Sequence, residues 1–519
     1  MRLYLILIPL VFLFLYPVYY GYSLETSDLV FSGLYSLYPD EMFYYFALGP
    51  VQAEQGFLFS EDLFGRAPEG HYFINIIGNL TVLLSGLTGL SIVKSFILLR
   101  VFALVIFFTG FERLTALLIQ NRWIQLFTIL LVFLSAGLGE LSHAFSIFSW
   151  EGSAPEMNNF IAGLSEYYLP FALAFFTVTF YFYIRWLRSG TTTQLMLSGL
   201  SLFSLGVFYI YIMLVALAVM GAHSLFLLWK EKTPRTFTLK SFLVLLLFSL
   251  PVIAFYIFIY MRIGEAGREE GWFAGPSILE FISTYFWFIL PLVISIFLLR
   301  KTKVKEVQFL FVWLLVQFIL TRIPHQILPF QIQSYVGISL PMALIVGVGL
   351  NQIFPDLKKG IRGVVVIGVA AVYLLLASRT NILFYNDLLT SIEQRVYPIF
   401  ISNEEMEFYS WIKENTPMDS KLYIHKSKAR VLAGITARKV FYDVVATHEI
   451  GDAEKLLLSL NELVQNSLAL EAFRDNGIDY FVVDEQAQVA YLNSATLSYL
   501  DNQFELSYSS DIFRVYKID

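Results

Sequence analysis

Two carboxylates stand side by side in the segment Tyr38-Pro39-Asp40-Glu41-Met42-Phe43-Tyr44-Tyr45, at the start of an apolar, helix-like stretch. Acids in the first turn of a helix complement its dipole, so capping is one role open to them. Close to a low-dielectric surface a carboxyl has its pKa raised, which suits a general base. Its oxygens can equally take a divalent cation. Spacing alone weighs capping and chemistry about evenly. Further carboxylates follow at Glu140, Glu151, Glu156 and Glu166, most of them expected as solvated loop charges. Glu166 stands just ahead of Tyr167-Tyr168-Leu169-Pro170, at the start of a long apolar run and so at the mouth of any cavity between spans.

Cationic and aromatic candidates are spread along the chain. Arg66 and His71 flank an apolar stretch, and Lys94 and Arg100 lie near the start of the next one. Lys94 is expected to snorkel to lipid headgroups, whereas Arg100 lies deeper and suits a role facing the helix bundle. The glycine-rich segment Arg262–Trp272 reads either as a flexible solvated hairpin or as a mobile loop whose Trp272 stacks on a sugar face. The segment Arg322-Ile323-Pro324-His325-Gln326 is prolyl and irregular. Irregular backbone at membrane depth is tolerated only where it lines a cavity or is buried in protein, which raises the candidacy of Arg322 and His325 for binding a phosphate.

The elements that must position these groups are membrane helices. Hydrophobic residues make up 57% of the 519 residues and charged ones only 15%, against about 25% charge in a soluble chain, and the mean hydropathy is +0.65. Apolar runs recur from residue 3 to residue 378, many of them long enough as helix to cross a hydrocarbon core of roughly 30 Å. The absence of cysteine excludes disulfides, thiolate chemistry and cysteine metal sites. Arg2 and the run Leu3–Tyr22 read as an uncleaved first helix, because no small-residue cleavage site follows.

Charge near the span ends sets an orientation. The stretch 71–90 is apolar but broken by Asn75, Gly78, Asn79, Gly86 and Gly89. As a span it would turn the basic loops around Arg185/Arg188, Lys230/Lys232 and Arg300–Lys305 to the outside. Reading it as a helix on the outer interface removes that conflict. About eleven spans are then expected: 3–22, 95–119, 123–139, 168–187, 194–210, 212–229, 238–260, 281–299, 307–321, 335–352 and 361–378. They form a polytopic α-helical domain over 1–380 with outer loops 23–94, 140–167, 261–280 and 322–334. A small α/β domain outside the membrane follows over 401–519: a helix at Asn403–Glu414, strands at Lys421–His425 and Asp479–Val483, a helical stretch at Asp452–Asp475, and a closing hairpin of Gln503–Tyr508 with Ile512–Ile518. The N-terminus is placed in the cytoplasm and the C-terminal domain outside, in a multi-pass protein of the cell inner (plasma) membrane.

Taken together these residues resemble the membrane glycosyltransferases of the GT-C superfamily, nearest the branch of protein O-mannosyltransferases and lipid A aminoarabinose transferases. The resemblance rests on Pro39-Asp40-Glu41-x-x-Tyr44, then Gly70-His71-Tyr72-Phe73-Ile74-Asn75, then Arg100. It covers the whole chain thinly through Arg322–Leu350 and the Trp411–Pro417 opening of the tail, with its specific part at 38–75. It implies an enzyme that moves a sugar from a polyprenyl-phosphate donor to an acceptor (lipid, glycan or protein) on the outer face, usually with inversion. Asp40 matches the family's proposed base, and Glu41 would support it or bind metal. Glu166 matches the second-loop acid, with Glu156 as runner-up. Arg66, Arg322 or His325 would neutralise the departing phosphate. A divalent cation, Mg or Mn, is left open, with Asp40 and Glu156 as its candidate ligands. Membrane lipids are expected partners and nucleic acid is not. A transporter or flippase of lipid-linked substrates is the first competitor, but it predicts charges in mid-span where this chain keeps its acids in loops. A glycan polymerase or ligase is the second, and a non-catalytic assembly protein the third.

Overall fold

A computed structural model describes residues 6–35, 39–64, 71–139, 155–230, 235–263, 276–324, 331–355, 361–441, 474, 477–484 and 494–518. Contacts divide the chain into two units. One comprises Met1–Pro17, Leu98–Met261 and Arg268–Thr390; the other comprises Val18–Ile97, Arg262–Gly267 and Ser391–Asp519.

The first unit is helical. Five helices of the described chain are long and apolar enough to cross a bilayer: Ile92–Leu118, Leu169–Ser189, Ile210–Lys230, Lys240–Ile259 and Ile332–Ile353. Two bent pairs raise the number to seven if each pair is one span: Ile278–Thr284 with Phe286–Leu299, at 96°, and Val364–Ala377 with Arg379–Glu393, at 47°. The protein is thus multi-pass. Among the described residues the expected eleven spans are not reached by length and apolarity, because Leu7–Ser23, Arg122–Leu134, Thr192–Phe208 and Lys305–Leu320 fall short. At 1.5 Å per residue, 13 to 17 residues reach only about 20–25 Å. The single span read over 281–299 is a short helix turning sharply into a longer one.

Helix Leu169–Ser189 lies at the core, with Leu169, Ala172, Leu173, Phe176, Phe180 and Ile184 fully covered. Phe180 packs on Trp313 with ring centroids 4.1 Å apart. Helix Ile361–Ala377 instead presents Val364, Val365, Val369, Val372 and Leu375 outward, an apolar surface that hydrocarbon accepts without cost and water would not. Irregular backbone before Ser339 is satisfied from a neighbouring helix. Buried Gln317 donates to the carbonyls of Ser334 at 2.9 Å and Val336 at 2.8 Å, and accepts from the Trp313 indole at 2.9 Å. Backbone that cannot pair with itself in lipid needs such a partner.

The second unit contains the tail domain. Its five strands run in the order Lys439–Val440, Lys421–Tyr423, Tyr480–Asp484, Phe513–Lys517, Glu505–Ser509. The first three are parallel, and the last two pair antiparallel as the expected hairpin. Helix Asn403–Asn415 matches its expectation within a residue, while the stretch 452–475 lies, but for residue 474, outside the described residues. The same unit holds residues 18–97. Strand Leu29–Phe31 pairs with Phe400–Ser402, and Phe59–Glu61 pairs with His71–Ile74. The stretch read as one interfacial helix over 71–90 is therefore a strand followed by helix Ile76–Thr88, which Gly89 ends in the left-handed conformation. Thirteen residues of helix do not span a bilayer.

Candidate active site

Helix Pro39–Phe46 carries the acid pair in its first turn. Proline suits a first helical turn, where its missing N–H breaks no bond, and the adjacent acids complement the dipole. Met42, Phe43 and Phe46 are buried and anchor the helix, whereas Asp40 is exposed and Glu41 half-buried. Helix Lys426–Thr436 of the tail packs against it. The approach is close because residue 434 is glycine: a Cβ there would lie 2.8 Å from the Phe43 carbonyl oxygen. One turn earlier on the same helix face sits Arg430, itself buried, with its guanidinium 5.9 Å from the centroid of the Tyr44 ring.

The electrostatics follow from this packing. Partial burial pushes the Asp40 carboxyl above its ordinary range, and the Arg430 charge pulls it back. Glu41 is raised by burial too, opposed by Arg430 and pushed further by neighbouring Asp40. Lys428 is committed elsewhere: it pairs with Glu405 at 3.0 Å in a largely buried contact and lies 4.9 Å from the Tyr397 ring centroid. Tyr409 donates to the same Glu405 at 2.5 Å. Arg430, Lys428 and Tyr397 were not found from the sequence. The basic run Lys426–Arg430 was the one signal available for the first two.

Behind the helix the chain is tied by short-range polar contacts. It continues through a π-helical turn at Ala47–Val51, where Asn75 donates to the Gly49 carbonyl at 2.9 Å. Gln52 clamps Glu61 from both sides, donating to its carbonyl at 2.9 Å and accepting from its N–H at 2.8 Å. The Glu61 carboxylate pairs with Lys439 of the tail at 2.9 Å. An apolar cavity of about 180 Å³ adjoins, lined by Phe43, Phe46, Val93, Ile401, Met406 and Gly434 among others.

The first unit holds other sequence-predicted residues. Arg100 is buried and donates to the carbonyls of Gly163 at 3.1 Å and Leu164 at 2.5 Å. It thereby supplies positive charge at the C-terminal end of helix Asn159–Ser165, where the dipole favours it. Glu166 is the very next residue, buried and extended. Arg100 therefore fixes the corner from which Glu166 projects. Glu156 sits half-buried in the single turn Pro155–Met157. Arg322 donates to the Pro276 carbonyl at 2.5 Å and to the Tyr335 hydroxyl at 2.7 Å. Its guanidinium lies 5.2 Å from the ring centroids of both Phe281 and Phe318. Lys94, exposed, lies over the Tyr22 ring in the second unit.

His71 stands in a strand opposite Glu61, and its side chain lies outside what is described. Arg66, Trp272, His325, Glu140 and Glu151 lie outside the described residues. The two residues read as metal ligands, Asp40 and Glu156, belong to different units. Among the described residues no group of three or more His, Cys, Asp or Glu side chains could hold a metal ion.

No protein-family model and no curated protein matches the sequence. Solved structures do. The archaeal oligosaccharyltransferase AglB from Archaeoglobus fulgidus, in complex with an inhibitory peptide and a dolichol-phosphate, is 12% identical. It aligns over 92% of this chain and 69% of its own, with a TM-score of 0.53. ArnT from Cupriavidus metallidurans, bound to undecaprenyl phosphate, is 11% identical over 99% of this chain and 98% of its own, with a TM-score of 0.52. This chain has the GT-C membrane fold. The arabinofuranosyltransferase AftD from Mycobacteria shares that fold over 98% of this chain but only 40% of its own, at 14% identity and a TM-score of 0.54. The GT-C fold and the helical architecture with a small C-terminal sheet thus stand as the sequence suggested.

Proposed function

We propose that this protein is a membrane glycosyltransferase that moves a sugar from a polyprenyl-phosphate donor to an acceptor outside the cytoplasm. The observation that carries this reading is the acid pair Asp40–Glu41 in the first turn of a helix, with both carboxyls pushed upward by burial and opposed by a cation. AglB and ArnT, of the same fold, were solved with dolichol-phosphate and undecaprenyl phosphate. In the proposed reaction ionised Asp40 takes the proton of the acceptor group. The acceptor atom bonds to the anomeric carbon, and the bond from that carbon to the phosphate oxygen breaks, its electron pair leaving with the lipid phosphate. Attack opposite the leaving group inverts the anomeric centre. A raised carboxyl is the stronger base once ionised. Glu41 supports it.

The leaving phosphate needs positive charge. Arg66, His325 and Arg322 keep that role on the sequence, Arg322 with two of its donors already engaged by Pro276 and Tyr335. His71, Arg100, Trp272 and Glu166 remain candidates for binding and positioning. One neighbouring structure holds Zn and sulfate. Among the described residues Asp40 and Glu41 supply two carboxylates, short of a ligand set, so no step is routed through a metal. The basic loops support an orientation with the N-terminus in the cytoplasm and the acid pair and tail outside.

Asp40→Asn, assayed in membranes supplied with polyprenyl-phosphate sugars, is expected to lose transfer by roughly 10²–10⁴-fold. Unchanged transfer by a folded variant would overturn the assignment.

A further inference from the structure

We propose that the apolar cavity behind helix Pro39–Phe46 is a lipid site: it takes the end of an acyl chain of an anionic phospholipid whose phosphate rests on Lys94. The inference does not depend on the transferase reading. Its first support is the chemistry of the walls. Phe43, Phe46, Ile92, Val93, Ile401 and Ile435 line the cavity, and its polar side chains are Ser32 and Glu54. Both are already satisfied. The Ser32 hydroxyl donates to the Leu34 carbonyl at 3.1 Å and accepts from the Leu34 N–H at 3.2 Å. Glu54 pairs with Lys413 at 3.0 Å. A buried water needs two to four polar partners, which these walls do not offer. A dry cavity of about 150 Å³ with comparable walls takes a guest the size of benzene. At about 180 Å³ this one suits roughly six carbons of a chain.

The second support is place. Ile92 and Val93 open helix Ile92–Leu118, which is long and apolar enough to cross a bilayer. At the end of a span the acyl chains of the bilayer are the apolar guest within reach. The third support is charge. Lys94, the next residue, is exposed, and its ammonium lies 5.1 Å from the centroid of the Tyr22 ring. That ring packs edge-on against Phe31. Gly33, at φ +76°, brings the same segment against Val93: a Cβ there would collide with the Val93 side chain and lie 3.2 Å from the Tyr22 hydroxyl. The cation is thus held beside the cavity wall. Glu25, the carboxylate of that segment, accepts from the Phe31 N–H at 3.1 Å. An ammonium beside an apolar slot complements a phosphate joined to an alkyl chain, and one lysine at a membrane surface favours anionic lipid by about fivefold. The walls come from residues 32–54 and 92–93 and from residues 401–435. A bound chain therefore ties the tail to the segment that carries helix Pro39–Phe46.

The experiment uses the full-length protein in phosphatidylcholine vesicles doped with a lipid that carries a photoreactive diazirine near the methyl end of one acyl chain. The probe has a phosphatidylglycerol headgroup in one series and a phosphatidylcholine headgroup in the other. Labelled peptides are mapped by mass, and the Tm of each variant reports its folding. Label from the phosphatidylglycerol probe should collect on peptides holding residues 43–54, 92–93, 401–406 and 434–435, at about five times the yield of the phosphatidylcholine probe. Lys94→Gln should remove that preference. Ile435→Trp and Met406→Trp, which fill the cavity, should each clear the label from these peptides. Should one filling variant fail to fold, the other decides; should both fail, the headgroup preference and its loss in Lys94→Gln decide. Label unchanged in a folded filling variant, or equal from the two headgroups, overturns the proposal. A last arm adds polyprenyl phosphate at the concentration of the probe. Label that it displaces assigns the cavity to the donor lipid, which also overturns the proposal; label that persists supports it.

Discussion

At the scale of single residues, Asp40 and Glu41 show how a site can work against its own fold. Both carboxyls titrate above their ordinary range in the folded protein. The folded state therefore holds protons that the unfolded chain would release, and stability falls as pH rises from the ordinary carboxylate range through the raised one. The full penalty is present above the raised range. Asp40→Asn or Glu41→Gln should leave Tm at pH 7 equal to wild type or higher, with the difference vanishing below about pH 3, where the carboxyls are protonated in both states. A drop in Tm at pH 7 alone would contradict the sign. Arg438 makes the opposite case. Buried in the tail, it donates to the carbonyls of Lys413 at 2.7 Å, Thr416 at 2.8 Å and Thr436 at 3.0 Å. Arg438→Ala strips three buried acceptors of their partner and should cost about 3 kcal/mol in a denaturant titration of the full chain. Asp40 and Glu41 were legible in the sequence because type and spacing were enough. Arg430 was not, because nothing local links positions 390 residues apart.

At the scale of elements, the segment from residue 39 to residue 90 owes its shape to tight backbone contacts rather than to apolar periodicity. Gly78 opens helix Ile76–Thr88 where the chain meets Gly49: a Cβ there would stand 2.5 Å from the Gly49 carbonyl carbon and oxygen, and against the Asn75 side chain. Gly78→Ala should overpack this junction at about 1–3 kcal/mol and disturb the Asn75–Gly49 hydrogen bond. Faster proteolysis between residues 47 and 78, with the helices of the first unit still protected, is the expected readout. The long helices were legible within a few residues, since each needs only its own apolar run. The strand at His71–Ile74 was not. Its four residues continue an apolar run, and only pairing with Phe59–Glu61 tells them from the first turn of a helix.

At the scale of the whole molecule, the orientation drawn from basic loops can be checked directly, because the chain has no native cysteine. Ser410 is exposed on helix Asn403–Asn415. A cysteine at that position in intact cells should react with a membrane-impermeant maleimide at once; reaction only after the membrane is opened would invert the topology and place the acid pair on the wrong side for the proposed donor. The sequence by itself determined that most of the chain is membrane helix, that a small α/β domain follows, and that one acid pair merits chemical attention. Composition and short-range pattern carry that information, because lipid demands self-paired backbone and a first helical turn favours acids. Only the tertiary structure decided that residues 18–97 fold with the tail, that strand Leu29–Phe31 is completed by Phe400–Ser402, and that Arg430 lies at the Tyr44 ring. Strand partners and counter-charges are chosen by long-range packing, which leaves no periodicity at either end for a sequence to display.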